Sequence, residues 1–114
     1  MAHLDQWTIG TNPKELSSSR ARIFAATANR ELTLAANEIL SNGVEHSGEH
    51  QHVALSGDNQ SFTVTISGGG IRRGIRTRPP EESGRGLQLA DALVDGLVIE
   101  SGGEALVTKL VVYQ

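Results

Sequence analysis

The spacing of apolar positions changes several times along the chain, and each change predicts an element. In Gln6–Gly10, Trp7 and Ile9 fall on one face of a short edge strand. Asn12-Pro13-Lys14-Glu15 then reads as a helix start, with Asn12 as N-cap, Pro13 at the first helical position and Glu15 completing a capping box. The helix runs to about Thr27, with Leu16, Ile23, Phe24 and Thr27 on one side and Arg20 and Arg22 on the wet side. Ala28-Asn29-Arg30 is a weak break. The next stretch, Glu31 to Ser47, is amphipathic: Leu32, Ala36, Ile39, Leu40 and Gly43 share one side, and Glu31, Ala35, Glu38, Asn42 and Glu45 the other. Gly48 and the polar residues after it end this helix.

Beyond Gly48 the period shortens. His52–Ser56 and Ser61–Ser67 are strand-like, and the four polar residues Gly57-Asp58-Asn59-Gln60 between them predict a hairpin. In the second strand Phe62, Val64 and Ile66 face one way and Thr63, Thr65 and Ser67 the other. Residues 67–86 then lose all periodicity, carrying six glycines, Pro79 and Pro80. Order returns with an apolar helix face of Leu87, Ala90, Leu93 and Val94, a strand Leu97–Glu100, a turn Ser101-Gly102-Gly103-Glu104, and a Val- and Leu-rich last strand Ala105–Tyr113. Strand, helix, helix, hairpin, irregular segment, helix, hairpin predicts an α+β fold. Its form is a two-layer α/β sandwich, with helices on one face of a mixed, largely antiparallel sheet.

Composition narrows what this fold is used for. A length of 114 residues fits one domain, residues 1–114, with a single modest core. Aromatic residues make up only 4%, so aliphatic side chains carry that core. A net charge of −3 argues against generic nucleic-acid or membrane binding, and four aromatic residues leave little for stacking on bases. There is no apolar run long enough to span a membrane and no signal-peptide pattern. The absence of cysteine excludes a disulfide scaffold and fits a cytoplasmic protein.

Two stretches carry chemistry. Glu38 and Asn42 are i, i+4 neighbours, so a carboxylate and an amide carbonyl stand one helical turn apart. Oxygen ligands of this kind suit Mg²⁺. Asn is a poor interior helix former, so its place there has a reason beyond solubility. A simply solvated polar stripe accounts for the pattern equally well. The irregular segment holds Arg72, Arg73, Arg76, Arg78 and Arg85, and its glycines let backbone amides approach an anion.

Asn37-Glu38 through His46-Ser47 resembles the N-box of the Bergerat-type (GHKL) ATP-binding fold, most of all in the bacterial anti-sigma factors that are also serine protein kinases. Gly68 and Gly70 match the glycines of that family's Asp-x-Gly-x-Gly box, and Ser83-Gly84-Arg85-Gly86-Leu87 matches its second glycine box. The resemblance runs from about Ile9 to Val112. It implies a histidine-kinase-like ATPase fold with an ATP lid at about residues 68–86, and the glycines, prolines and missing apolar periodicity of that segment predict mobility without ligand. It also implies Glu38 as general base, Asn42 as Mg²⁺ ligand, His46 as an N-box residue, and Gly68, Gly70, Gly84, Arg85 and Gly86 around the phosphates of Mg-ATP. As partners it implies a sigma factor, an antagonist protein whose serine is phosphorylated, and a second copy of the chain.

Three departures stand against the family pattern. Ile66 occupies the place of the Asp that hydrogen-bonds the adenine amino group. Glu104 and Ala105 follow Gly103 where the family carries a supporting Thr. The first two helices are joined more tightly than in relatives, which suits either a nearly continuous bent helix or a layer completed by a partner chain. Other readings use other residues: a metal site from His46, His50 and His52, a nucleic-acid module using the arginine-rich segment, or a protein-binding regulator without catalysis.

Overall fold

The computed structural model describes residues 2–68, 88–102 and 105–114. Its elements are β1 (Ala2–Ile9), α1 (Lys14–Thr27), α2 (Arg30–His46), β2 (Gln51–Gly57), β3 (Ser61–Gly68), α3 (described over 88–93), β4 (Gly96–Gly102) and β5 (Ala105–Tyr113). The strands form one sheet in the order β1-β2-β3-β5-β4. All four pairings are antiparallel. Helix α2 packs on β3 and β5, and α1 packs on α2 and β1, which gives the two layers expected.

The core lies between those layers. Val53, Leu55, Val64, Ile66 and Leu110 from the sheet meet Ile23, Leu32, Ala35, Ala36, Ile39 and Leu40 from the helices. Ala35 was expected on the polar side of α2, yet it is 0% exposed. A helix covered by the sheet on one flank and by α1 on another buries a wider arc than a one-sided amphipathic pattern describes. Alanine, small enough to fit under a neighbouring helix, falls inside that arc.

The stripe of α1 is also shifted. Ser19, Ile23 and Thr27, spaced i, i+4, i+8, are the buried residues, while Phe24 is exposed. Burying a serine requires a partner, and the Trp7 indole N–H donates to Ser19 Oγ at 2.9 Å. Above the ring lies Arg22, 4.3 Å from its centroid. Its guanidinium forks onto Asp5 at 2.9 and 2.6 Å, and this partner holds the Asp5 carboxyl below its ordinary range. The start of α1 departs in detail from a capping box. Asn12 Oδ1 accepts from the Lys14 N–H at 3.0 Å, but Glu15 reaches back to the Gly10 N–H at 3.0 Å instead of to Asn12.

The connection between α1 and α2 is a two-residue break. Ala28 adopts the left-handed conformation at φ 51°, and Asn29 N-caps α2 by accepting from the Leu32 N–H at 2.8 Å. The helices therefore form a tight hairpin across these two residues. At the β2–β3 turn, Asp58 Oδ1 accepts from the N–H groups of Gln60 and Ser61 at 2.8 and 2.9 Å. These donors hold its carboxyl below the ordinary value. No described helix is long and apolar enough to cross a membrane.

Candidate functional site

Helix α2 brings the sequence-predicted pair to the margin of its buried arc. Taking Leu32 as zero at 100° per residue, the buried positions run from Ala35 at −60° to Thr33 at +100°. Asn42 at −80° and Glu38 at −120° border that arc, and both are half-buried. Neither side chain hydrogen-bonds to any other described residue. A half-buried carboxylate and a carboxamide oxygen on successive turns, with their hydrogen-bonding capacity unspent, form a donor set suited to a hard cation and a proton transfer. Of His46 only the backbone is described, in the last turn of α2.

A residue the sequence reading passed over joins this helix to the glycine strand. Gln51 was placed in a loop before β2, but it is the first residue of that strand and is 1% exposed. Its Nε2 donates to the Leu40 carbonyl at 3.0 Å. Its carboxamide occupies the space a Cβ on Gly43 would fill. Across the β2–β3 ladder its register partner is Gly68. One buried side chain thus separates the turn carrying Asn42 from Gly68. Gly68 itself has φ +82°, and a Cβ there would lie 2.8 Å from the His50 carbonyl oxygen. Both geometry and space demand glycine at the point where the strand leaves the sheet.

The Gln51 wedge gives a direct expectation. Gly43→Ala forces the buried carboxamide out of place and lowers stability by about 1–3 kcal/mol, the usual cost of overpacking. Part of this is returned by alanine's better helix propensity, about 1 kcal/mol. Adding Gln51→Ala should cost less in the Gly43→Ala background than in the parent. Denaturant unfolding of the four proteins measures the difference, and strict additivity would refute the wedge.

Ile66 is 1% exposed, two residues before Gly68 on the helix-facing side of β3. Its register partners are Val53 on β2 and Thr108 on β5. Thr108 is buried, and its side-chain hydroxyl makes no hydrogen bond to any described residue. It was not picked out from sequence, because only the β3–β5 register shows that a hydroxyl stands beside Ile66. The position expected to match the adenine-contacting Asp is therefore an apolar residue with one hydroxyl next to it.

Gly70, Gly84, Arg85 and Gly86, with the lid expected over 68–86, lie outside the described residues apart from Gly68 and so does the Gly103-Glu104 turn. Of the expected apolar face of α3, Ala90 is buried and Leu93 and Val94 pack on the core. Among the described residues no three His, Asp or Glu side chains converge as a metal site. His52 Nδ1 and Thr8 Oγ1 are hydrogen-bonded at 3.0 Å across the β1–β2 ladder.

A model of the histidine kinase-like ATPase domain matches residues 13–112, from the entry to α1 to the end of β5. The chain belongs to that family. A comparison with curated proteins returned no match.

Proposed function

We propose that residues 1–114 act as one Mg-ATP-binding unit of a bacterial, cytoplasmic regulator of the anti-sigma type, which passes the γ-phosphoryl group to a serine of an antagonist protein. The observation that carries this reading is the Glu38–Asn42 pair, half-buried at the margin of the core and linked through Gln51 to the obligatory glycine at position 68. Asn42 would hold Mg²⁺, whose charge offsets that of the phosphates. Glu38 would take the proton of the serine hydroxyl as its oxygen attacks. Gly68, Gly70, Gly84, Arg85 and Gly86 would cradle the phosphates, with His46 at the end of the N-box turn.

A second reading rests on Ile66. An apolar floor under the base leaves an adenine amino group unpaired, which favours a regulator that keeps the fold to hold a sigma factor or an antagonist without nucleotide. Calorimetric titration of the whole chain with Mg-ATP, Mg-GTP and Mg-ADP separates the two. Binding of Mg-ATP that weakens at least tenfold without Mg²⁺, and again on Asn42→Ala, supports the nucleotide site. Heat from none of the three leaves the protein-binding reading.

A further inference from the structure

We propose that the groove between α1 and α2, on the side away from the sheet, docks an acidic amphipathic helix of a partner protein. The groove has a volume of about 380 Å³ and is lined by Arg20, Ala21, Phe24, Arg30, Thr33 and Leu34. These residues belong to the end of α1 and the first turns of α2, on either side of the Ala28-Asn29 break.

Two observations point to an occupant. The first is apolar exposure. The chain has only two phenylalanines, and one of them, Phe24, is 49% exposed in this groove. Leu34, 44% exposed, lines the same groove. A single exposed Leu needs no explanation, but a Phe and a Leu facing one concavity form an anchor site of the kind that hot-spot side chains fill. The second is charge. Among the described residues no acidic side chain lines the groove, and arginines border it from both helices. Arg20 Nη1 donates to Asn37 Oδ1 at 2.9 Å, which fixes its guanidinium at the wall. Arg30 has no ion-pair partner among the described residues. Outside residues 69–87 the chain's cations are Lys14, Arg20, Arg22, Arg30 and Lys109, and Arg22 is engaged by Asp5. Two of the remaining four thus flank one apolar groove on a protein of net charge −3.

That pairing selects an acidic amphipathic segment. Its apolar face covers Phe24 and Leu34, and its carboxylates meet the guanidiniums, which set orientation and reject basic partners. A channel between two helices takes a third helix in the helix-in-groove mode, with anchors at i, i+3, i+4 and i+7.

The test uses the full isotope-labelled chain and two synthetic helical peptides. Both carry Leu at i, i+3, i+4 and i+7, one with Glu and the other with Lys at its polar positions. The acidic peptide should shift the amide resonances of residues 20–24 and 30–34, and the basic one should not. Arg30→Glu and Leu34→Glu, at exposed positions that leave the far-UV spectrum and melting temperature unchanged, should each weaken binding at least tenfold. Equal binding of both peptides, no binding of the acidic one, or unchanged affinity in Arg30→Glu overturns the proposal. So does wild-type self-association that Leu34→Glu abolishes, which would make the groove a contact between copies. Preferential binding of anionic phospholipid vesicles, or shifts at the same residues with inorganic phosphate alone, likewise overturns it.

Discussion

Ile66→Asp should tighten Mg-ATP binding by roughly ten- to a hundred-fold while making the empty protein less stable. The gain follows from one charge-assisted hydrogen bond to the adenine amino group, worth about 1.5–3 kcal/mol, at about 1.4 kcal/mol per tenfold. The loss follows from position 66 itself, which is 1% exposed between Val53 and Thr108, where a carboxylate has no water. The Thr108 hydroxyl, free of hydrogen bonds to described residues, can donate to the new carboxylate and offset part of that loss. Melting curves with and without nucleotide read both effects at once. The variant should melt below the parent when empty and gain more from Mg-ATP. Mg-GTP, whose base presents a carbonyl at that place, should gain nothing. An unchanged ATP affinity in a folded variant would move the base pocket away from Ile66.

Gly68→Ala should destabilise the protein by about 2–5 kcal/mol. A left-handed backbone costs a non-glycine residue about 1–2 kcal/mol, and overpacking adds about 1–3. Here the clash is with the His50 carbonyl, 2.8 Å from the new Cβ, and a backbone carbonyl cannot swing aside as a side chain would. The backbone around His50 and Gln51 must then shift, taking with it the carboxamide that props α2. If the pair on α2 binds Mg²⁺, the variant should also lose metal-dependent nucleotide affinity at temperatures where it remains folded. A guanidinium chloride midpoint equal to that of the parent would refute the strain argument.

Helix α2 and the alternation in β3 were legible because each is a local periodic pattern, although α2 buries a wider arc than its own pattern describes. Glu38, Asn42 and Gly68 stood out for a different reason, as residue types at fixed spacings. What escaped notice depends on partners far away in the chain. Ser19 reads as polar until Trp7 is seen to bond it, and Gln51 reads as loop until the Leu40 carbonyl is seen above it. Thr108 acquires meaning only from the β3–β5 register, and Ala35 only from the second helix covering it. Strand ends fell short in β1, β2 and β4 because a ladder extends as far as its partner strand, beyond the reach of alternation in one strand. Phe24 was placed on one side of α1 with Leu16, Ile23 and Thr27 by its spacing, and its exposure is what marks the groove.

The strand order has a consequence for how the protein is made. β5 is the last strand in the chain, yet it lies inside the sheet, between β3 and β4. During synthesis the segment from β1 to β3 emerges first, and its β3 edge has open hydrogen-bonding groups and no covering strand. Until β5 leaves the ribosome, that edge can pair with another nascent chain. β4 cannot protect it, because β4 reaches the sheet only through β5. The fold therefore closes in a single late event, when the C-terminal hairpin docks as a unit. Chains stalled or truncated before residue 105 should be handed to chaperones or proteases instead of persisting as a partial nucleotide site.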